Sequence, residues 1–279
     1  MTTPTPKIIH YCWFGHGELS DQAKKTLASW KRFAPGFEIR RCDESTFDVN
    51  CCEWTRKAYE AKKYAFVADY ARFRMVHDFG GVYMDLGSEL VRDITKLVEK
   101  CSPFSAIEEL SRTATTGLIV AAPPRNPVIA SCLACYEDTD FSDDPTFLEN
   151  NTVNWVFTRE LEKLGYVLED RRQQVGEWTL LPSTAFNPVY GLGGYHIKKD
   201  TYSVHHYSAS WSEPKMKTKY ALVKRLSPFL GRRLSQVVGR VYAEVHEEGL
   251  LKGLQNCASV ACQVTVRSNK TLELKERRQ

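Results

Sequence analysis

The stretch Lys62–Leu90, KKYAFVADYARFRMVHDFGGVYMDLGSEL, constrains the fold more than any other part of the chain. It reads as a helix, a Gly80-Gly81 stop and a short strand, Val82–Met84, that delivers Asp85 to its C-terminal end. In an open α/β sheet that end is where ligands bind. Asp69 lies one turn before Arg72, and side chains at i and i+3 project together from a helix. Two carboxylates and one fixed cation are thereby aimed at a single crevice. Carboxylates accept from sugar hydroxyls or hold a divalent metal, and arginine forks onto phosphate oxygens. The plainer reading is a surface ion pair worth under about 1 kcal/mol. Against it, the pair is set among Phe66, Val67, Ala68, Tyr70, Ala71 and Phe73. A helix apolar on nearly every side is buried, and buried charges need partners or a ligand.

The rest of the chain alternates strand and helix. A first strand is expected near Ile8–Trp13, a helix over Ser20–Phe33 with Ser20 as its cap, and a strand near Glu38–Arg41. Helices follow over Trp54–Tyr59 and Ala61–Phe79, then the Val82–Met84 strand and a short helix near Ile94–Lys100. Strands are expected around Phe104–Ile107 and Gly117–Ala121, helices over Pro127–Tyr136 and Thr152–Leu164, and late strands at Thr179–Pro182 and Val204–Tyr207. This order gives an α/β fold.

Three further blocks stand in sequence around the central one. They are Lys7-Ile-Ile-His-Tyr-Cys-Trp-Phe-Gly15, then Ser29-Trp30-Lys31 with Pro35-Gly36-Phe37-Glu38-Ile39, and Val204-His205-His206-Tyr207-Ser208-Ala209-Ser210-Trp211. Together the four blocks resemble glycosyltransferase family 32, the retaining, DXD-containing sugar transferases of GT-A (Rossmann-like) fold that include Golgi mannosyltransferases and bacterial capsular or exopolysaccharide enzymes. The resemblance spans residues 7 to 212, with the middle loosely matched.

What the resemblance implies is specific. Trp13 stacks on the nucleotide base, a contact worth roughly 1–3 kcal/mol. Asp69 and Arg72 contact the donor sugar and its diphosphate. Asp85 is the first acid of the DXD motif, touching ribose and a divalent metal, Mn2+ or Mg2+. His206, more than His205, lies beside metal and diphosphate, and Trp211 closes over the leaving diphosphate. Each has a plainer reading: a tryptophan at a strand end fills the core, and paired histidines bond to backbone.

The chain departs from the motif at one position. The second acid is replaced by Gly87 in Asp85-Leu86-Gly87-Ser88-Glu89. Losing even an outer-shell partner of a metal site costs about 10–100-fold in affinity or activity. Three readings stay open. Glu89, on the same face by two-residue alternation, reaches the metal instead; the site works with a weak metal or none; or the chain is a weakened relative that only binds.

Length and composition agree with a large α/β unit bearing an appendage: 279 residues, 43% hydrophobic. Met1-Thr-Thr-Pro-Thr-Pro lacks the basic start and apolar run of a signal peptide, so a cytoplasmic location is expected. The nine cysteines include a single CxxC, Cys132-x-x-Cys135, on an expected helix, where such residues are small hydrophobes. From Pro214 to Arg240 eight Lys or Arg interleave with apolar residues and no acid. That pattern suits a helix lying on an anionic membrane, each cation contributing on the order of 1 kcal/mol, or one packed on the catalytic domain with solvated cations. A net charge of +4 without a recognition motif argues against nucleic acid. The acidic loop Asp138–Asp144 is a further source of a carboxylate for the sugar site, or simply solvated.

The expectation is therefore a catalytic domain over residues 1–212 and a basic, mostly helical extension over 213–279. The activity expected is retaining transfer of a hexose from a UDP- or GDP-sugar to a saccharide acceptor, lipid-linked in one reading, in polysaccharide synthesis at the inner face of the membrane. Asp85, Arg72 and Trp211 are its catalytic residues; Trp13, Asp69, Arg72 and Asp85 bind the donor; Asp85, His206 and Glu89 hold the metal. A non-catalytic or metal-independent nucleotide-sugar binder is the alternative.

Overall fold

The computed structural model describes residues 3–109, 111–188 and 197–206, with scattered positions between 222 and 249. Two compact units divide the chain, one of residues 1–189 with 195–208, the other of residues 190–194 with 209–279. The first carries the elements below.

In chain order they are β1 (Ile8–Cys12), α1 (Asp21–Phe33), β2 (Glu38–Cys42), α2 (Glu53–Glu60), α3 (Tyr64–Phe79) and β3 (Gly81–Tyr83). Then come β4 (Ser88–Leu90), α4 (Thr95–Cys101), β5 (Phe104–Ala106), β6 (Val120–Ala122) and α5 (Pro127–Glu137). The remainder are α6 (Pro145–Asn150), α7 (Val153–Glu162), β7 (Gln173–Val175), β8 (Trp178–Leu181), α8 (Ser183–Phe186) and β9 (Ser203–His205).

Seven strands form one sheet in the order β2-β1-β3-β6-β5-β8-β7, while β4 and β9 pair apart. Within the large sheet β1 runs parallel to both β2 and β3, and β5 parallel to β8; the other pairings are antiparallel. The sheet is mixed, and the chain is an α/β protein. Apolar residues bury on both faces. Tyr83, Val120 and Leu180 meet α3, α5 and α7 on one side, with Trp54, Phe73 and Phe157 among the fully buried side chains. Ile9, Val82 and Phe104 meet Trp30 of α1 and residues of α4 and α8 on the other.

Local chemistry explains the boundaries that shape the site. Ser20 caps α1 through its side chain, as expected, and α1 holds β4 in place. The Ser29 hydroxyl accepts from the Leu90 amide at 2.9 Å, and the buried Trp30 indole donates to Ser88 O at 2.8 Å. The Ser-Trp pair of the sequence block is thus a clamp on the segment after Asp85. α3 begins at Tyr64 rather than Ala61, because Lys62 turns the chain with φ 57°. At its other end Gly80 and Gly81 both take positive φ, and a Cβ on Gly81 would lie 2.7 Å from Ile8 O. Only glycine tolerates both constraints. The His10 imidazole donates to Gly80 O at 2.8 Å, tying the end of α3 to β1.

Two expected strands shift. Residue 117 lies in a turn, and the strand begins at Val120. The expected continuation from Asp85 to Glu89 is also corrected: the chain turns, with the Ser88 amide donating to Asp85 O at 2.8 Å. Glu89 is the middle residue of a separate ladder on β9, so alternation does not place it on the face of Asp85. The strands β4 and β7 and the helices α6 and α8 were not legible in sequence, each being three to six residues long.

Candidate nucleotide-sugar site

β1 and β3 are adjacent and parallel, so Trp13 and Asp85 follow their C-terminal ends at the same edge of the sheet. α3 runs back towards β3, and its N-terminal half, with Asp69 and Arg72, lies over that edge. The structure brings Asp69, Arg72 and Asp85 together. Arg72 Nη2 donates to Asp69 Oδ1 at 2.8 Å, and Nη1 lies 3.5 Å from Asp85 Oδ1. Nη1 also donates to the Thr116 hydroxyl at 3.2 Å, and Nε donates to Ala68 O at 3.1 Å. The guanidinium rests 4.8 Å from the centre of the Tyr83 ring. Asp69 and Arg72 are nearly fully buried, while the Asp85 side chain keeps 38% of its surface. Asp85 is the member of the cluster that reaches solvent.

Burial sets the electrostatics. It pushes the Asp69 carboxyl up to about 6 against the opposing pull of Arg72. It also works against the charge of Arg72, yet Tyr83, Asp85 and Asp69 together hold that guanidinium above its ordinary range. Arg72 is a permanent cation whose donors are largely engaged by the two acids and by Thr116. It fixes carboxylates as much as it offers itself to phosphate.

Three residues of this cluster were missed by sequence reasoning. Tyr83 donates its hydroxyl to Asp85 Oδ1 at 2.8 Å, Thr116 caps Arg72, and Gly117 lies against Asp85. The Asp85 amide donates to Gly117 O at 2.9 Å, and a Cβ at position 117 would lie 2.1 Å from Asp85 Oδ2. Tyr83 was legible only as an apolar strand residue; its offset of two from Asp85 was the available signal. Thr116 and Gly117 stand where the family resemblance expects the acceptor side, but no local signal joined them to Asp85 and Arg72.

Trp13 is half-buried, its amide donating to Cys42 O at 2.9 Å and its indole to Gly17 O at 2.6 Å. The loop after it is braced, with the Gly15 amide donating to Glu44 Oε1 at 2.6 Å. A Cβ on Gly15 would strike the Tyr64 ring at 2.5 Å, so this loop packs directly on the start of α3.

His206 and Glu89 are brought together by the small sheet. His206 Nε2 lies 2.7 Å from Glu89 Oε2, and the His206 amide donates to Gly87 O at 2.7 Å. His205 is half-buried at the end of β9, and desolvation of its ring pushes the imidazole down to about 4, so the ring is neutral at neutral pH. Trp211 lies outside the described residues, as do Tyr207, Lys215, Lys217 and Lys219.

A divalent metal, which the motif implies, fits these residues poorly. A Cβ on Gly87 would lie 3.0 Å from two atoms of the His205 ring and from His206 O, so an acid there requires these neighbours to give way by a few tenths of an ångström. Among the described residues no group of three or more His, Cys, Asp and Glu is placed to hold an ion.

Residues 19–103 match the family model described as the glycosyltransferase sugar-binding region containing the DXD motif. That stretch is similar to the sugar-binding region of glycosyltransferases. It contains Asp69, Arg72, Tyr83, Asp85 and Glu89, and the match supports a transferase. Among solved structures, the chain is similar to one titled PaToxG Glycosyltransferase, with 16% identity, a TM-score of 0.45, and coverage of 58% of this chain and 70% of that one. A search of curated proteins gives no significant match. No described helix is long and apolar enough to cross a membrane.

Proposed function

We propose that the chain is a glycosyltransferase of GT-A type that binds a nucleotide diphosphate sugar at the edge formed by β1 and β3. It would move the hexose to a saccharide hydroxyl. The observation that carries this reading is the buried Asp69–Arg72–Asp85 cluster, opening to solvent through Asp85 within the sugar-binding-region match. Asp85, oriented by Tyr83, accepts from sugar hydroxyls; Asp69 and Arg72 define the donor pocket behind it; Trp13 offers the nearby aromatic plane for a base. Catalysis in such a site is positioning together with stabilisation of the departing diphosphate. In the retaining reading the anomeric carbon loses its bond to the diphosphate and gains one to the acceptor oxygen on the same face. The acceptor proton leaves with the diphosphate. No side chain of the cluster is assigned as a covalent nucleophile.

The role in polysaccharide synthesis and the membrane-side location belong to this proposal. Support comes from the described positions of the C-terminal unit, where Phe229, Leu230, Leu234 and Val237 are exposed apolar residues within the basic stretch. A patch of that kind suits a lipid surface.

Calorimetric titration with UDP, GDP and their hexose conjugates tests the reading. One nucleotide is expected to bind, and Asp85→Ala is expected to abolish transfer in a protein that stays folded. Full activity in that variant, or no binding of either nucleotide, would remove the assignment. Gly87 favours a second reading, a nucleotide-sugar binder without turnover. Donor binding with neither transfer nor donor hydrolysis across a panel of acceptor saccharides would select it.

A further inference from the structure

We infer that this site holds its nucleotide diphosphate without a bridging divalent ion, the space and ligands for one being taken by His205, by the Arg72–Asp85 ion pair and by the His206–Glu89 contact. The inference rests on the nucleotide-sugar reading above and narrows it.

The first observation is steric. Gly87 lies in the turn closed by the Ser88 amide on Asp85 O, and its own carbonyl accepts from the amide of His206, one residue past β9, at 2.7 Å. The first carbon of any acid at this position would sit 3.0 Å from Cε1 and Nε2 of His205 and 3.0 Å from a backbone oxygen that β9 holds in place. These separations are shorter than ordinary contacts between packed atoms. The residue that occupies this volume is an imidazole, which supplies no carboxylate to a cation in place of the missing acid.

The second concerns the acids that remain. Asp85 Oδ1 already receives the Tyr83 hydroxyl at 2.8 Å and faces Arg72 at 3.5 Å. Its Oδ2 is pressed against Gly117. A dication bound at Asp85 would stand beside a buried guanidinium of like charge in a region of reduced dielectric. Glu89, the candidate substitute for the missing acid, has its Oε2 2.7 Å from His206 Nε2. Inner-sphere ligation by either acid would have to compete with a pairing the fold already makes. Magnesium-type sites use one or two carboxylates with the substrate's own phosphates, and those carboxylates must be available. Here the charge of the diphosphate falls to donors of the chain itself rather than to an ion.

The test uses the full chain and two readouts. UDP and GDP are titrated calorimetrically with Mn2+ and with excess EDTA, and the electron paramagnetic resonance of Mn2+ is followed in protein–nucleotide mixtures. The nucleotide that binds is expected to change affinity by less than about twofold on chelation, well inside the 10–100-fold that follows loss of support at a working metal site. The Mn2+ signal is expected to match that of nucleotide alone. A tenfold or greater loss with EDTA, or a Mn2+ signal that changes only when protein is added, overturns the inference and leaves the nucleotide-sugar reading intact. Absence of binding to both nucleotides in both conditions overturns the reading and the inference together. The double variant Gly87→Asp with His205→Ala, which introduces an acid and clears the ring, is expected to acquire chelator-sensitive binding. If it stays insensitive, His205 is not what excludes the ion, and the steric part of the inference falls.

Discussion

Gly87 and His205 are in van der Waals opposition: the ring of one fills the space beside the Cα of the other, leaving 3.0 Å for a Cβ at Gly87. A glycine at the second motif position is therefore matched to its surroundings rather than simply missing an acid. Gly87→Asp should destabilise the protein by about 1–3 kcal/mol, the usual consequence of overpacking. Thermal unfolding would register it as a lower Tm. Nucleotide affinity should fall as well, because the turn that aims Asp85 must open. A variant as stable as the native protein with stronger nucleotide binding would contradict this packing.

Tyr83 aims Asp85. Tyr83→Phe keeps the buried ring beneath Arg72 and removes only the hydroxyl that reaches Oδ1. A hydrogen bond to a charged group contributes about 1.5–3 kcal/mol. Since Asp85 is partly exposed and water can replace the lost donor, a stability change near 1 kcal/mol is expected. Donor-sugar affinity, measured by calorimetry, should drop about five- to tenfold as the carboxylate loses its orientation. Unchanged donor affinity would mean that Asp85 is held by other contacts.

Gly117→Ala separates positioning from folding. Its new Cβ would lie 2.1 Å from Asp85 Oδ2, so the carboxylate must swing away from Tyr83. The obstructed atom is the end of a side chain, and the backbone can stay where it is. The expected outcome is a loss of donor binding of about tenfold or more with unfolding free energy changed by only about 1–2 kcal/mol. A variant that binds donor normally would show that the orientation of Asp85 is immaterial.

The order of the elements up to β3 was legible because hydrophobic periodicity and the Gly80-Gly81 stop are local signals. The same holds for Asp69, Arg72 and Asp85, which share one continuous segment. The remainder of the cluster depends on contacts distant in sequence. Thr116 meets Arg72 across 44 positions, and Glu89 meets His206 across 117. Short strands such as β4 carry too few residues for alternation to register. The expectation that Glu89 continues the strand of Asp85 failed for a related reason. A turn at residues 86 and 87, with a new pairing partner in β9, overrides the two-residue period. The block Ser29-Trp30 was recognised as a pattern, but its physical role as a clamp on β4 needed the fold.

Arg72→Lys tests whether the guanidinium is structural. Lysine offers one ammonium where arginine now reaches Ala68 O, Thr116, Asp69 and Asp85 by separate atoms. At a site of this geometry the exchange is not conservative. Removing a partner from a buried ion pair costs about 3–5 kcal/mol, and a retained but misplaced charge should cost a little less, about 2–4 kcal/mol. Urea denaturation reads this directly. A substitution that leaves the urea midpoint in place would assign Arg72 to ligand binding alone.

Three groups, His10 and Asp69 buried and His205 half-buried, make stability depend on pH in a window that can be specified. Burial pushes His10 and His205 down to about 4, so the folded chain refuses protons that the unfolded chain accepts below about pH 6.5. Each imidazole therefore withdraws stability as pH falls from about 6.5 towards about 4. Asp69, pushed up to about 6, acts in the opposite sense, since the folded chain takes its proton first. Two against one leaves about one net proton bound by the unfolded state, a slope of about 1.4 kcal/mol per pH unit. Across the window the unfolding free energy should fall by about 2–3 kcal/mol. His10→Gln retains a donor for Gly80 O and removes one titration, so its profile should be nearly flat between about pH 4.5 and 6.5. A native protein whose urea midpoint does not move over that range would show that these two imidazoles are not held neutral by the fold.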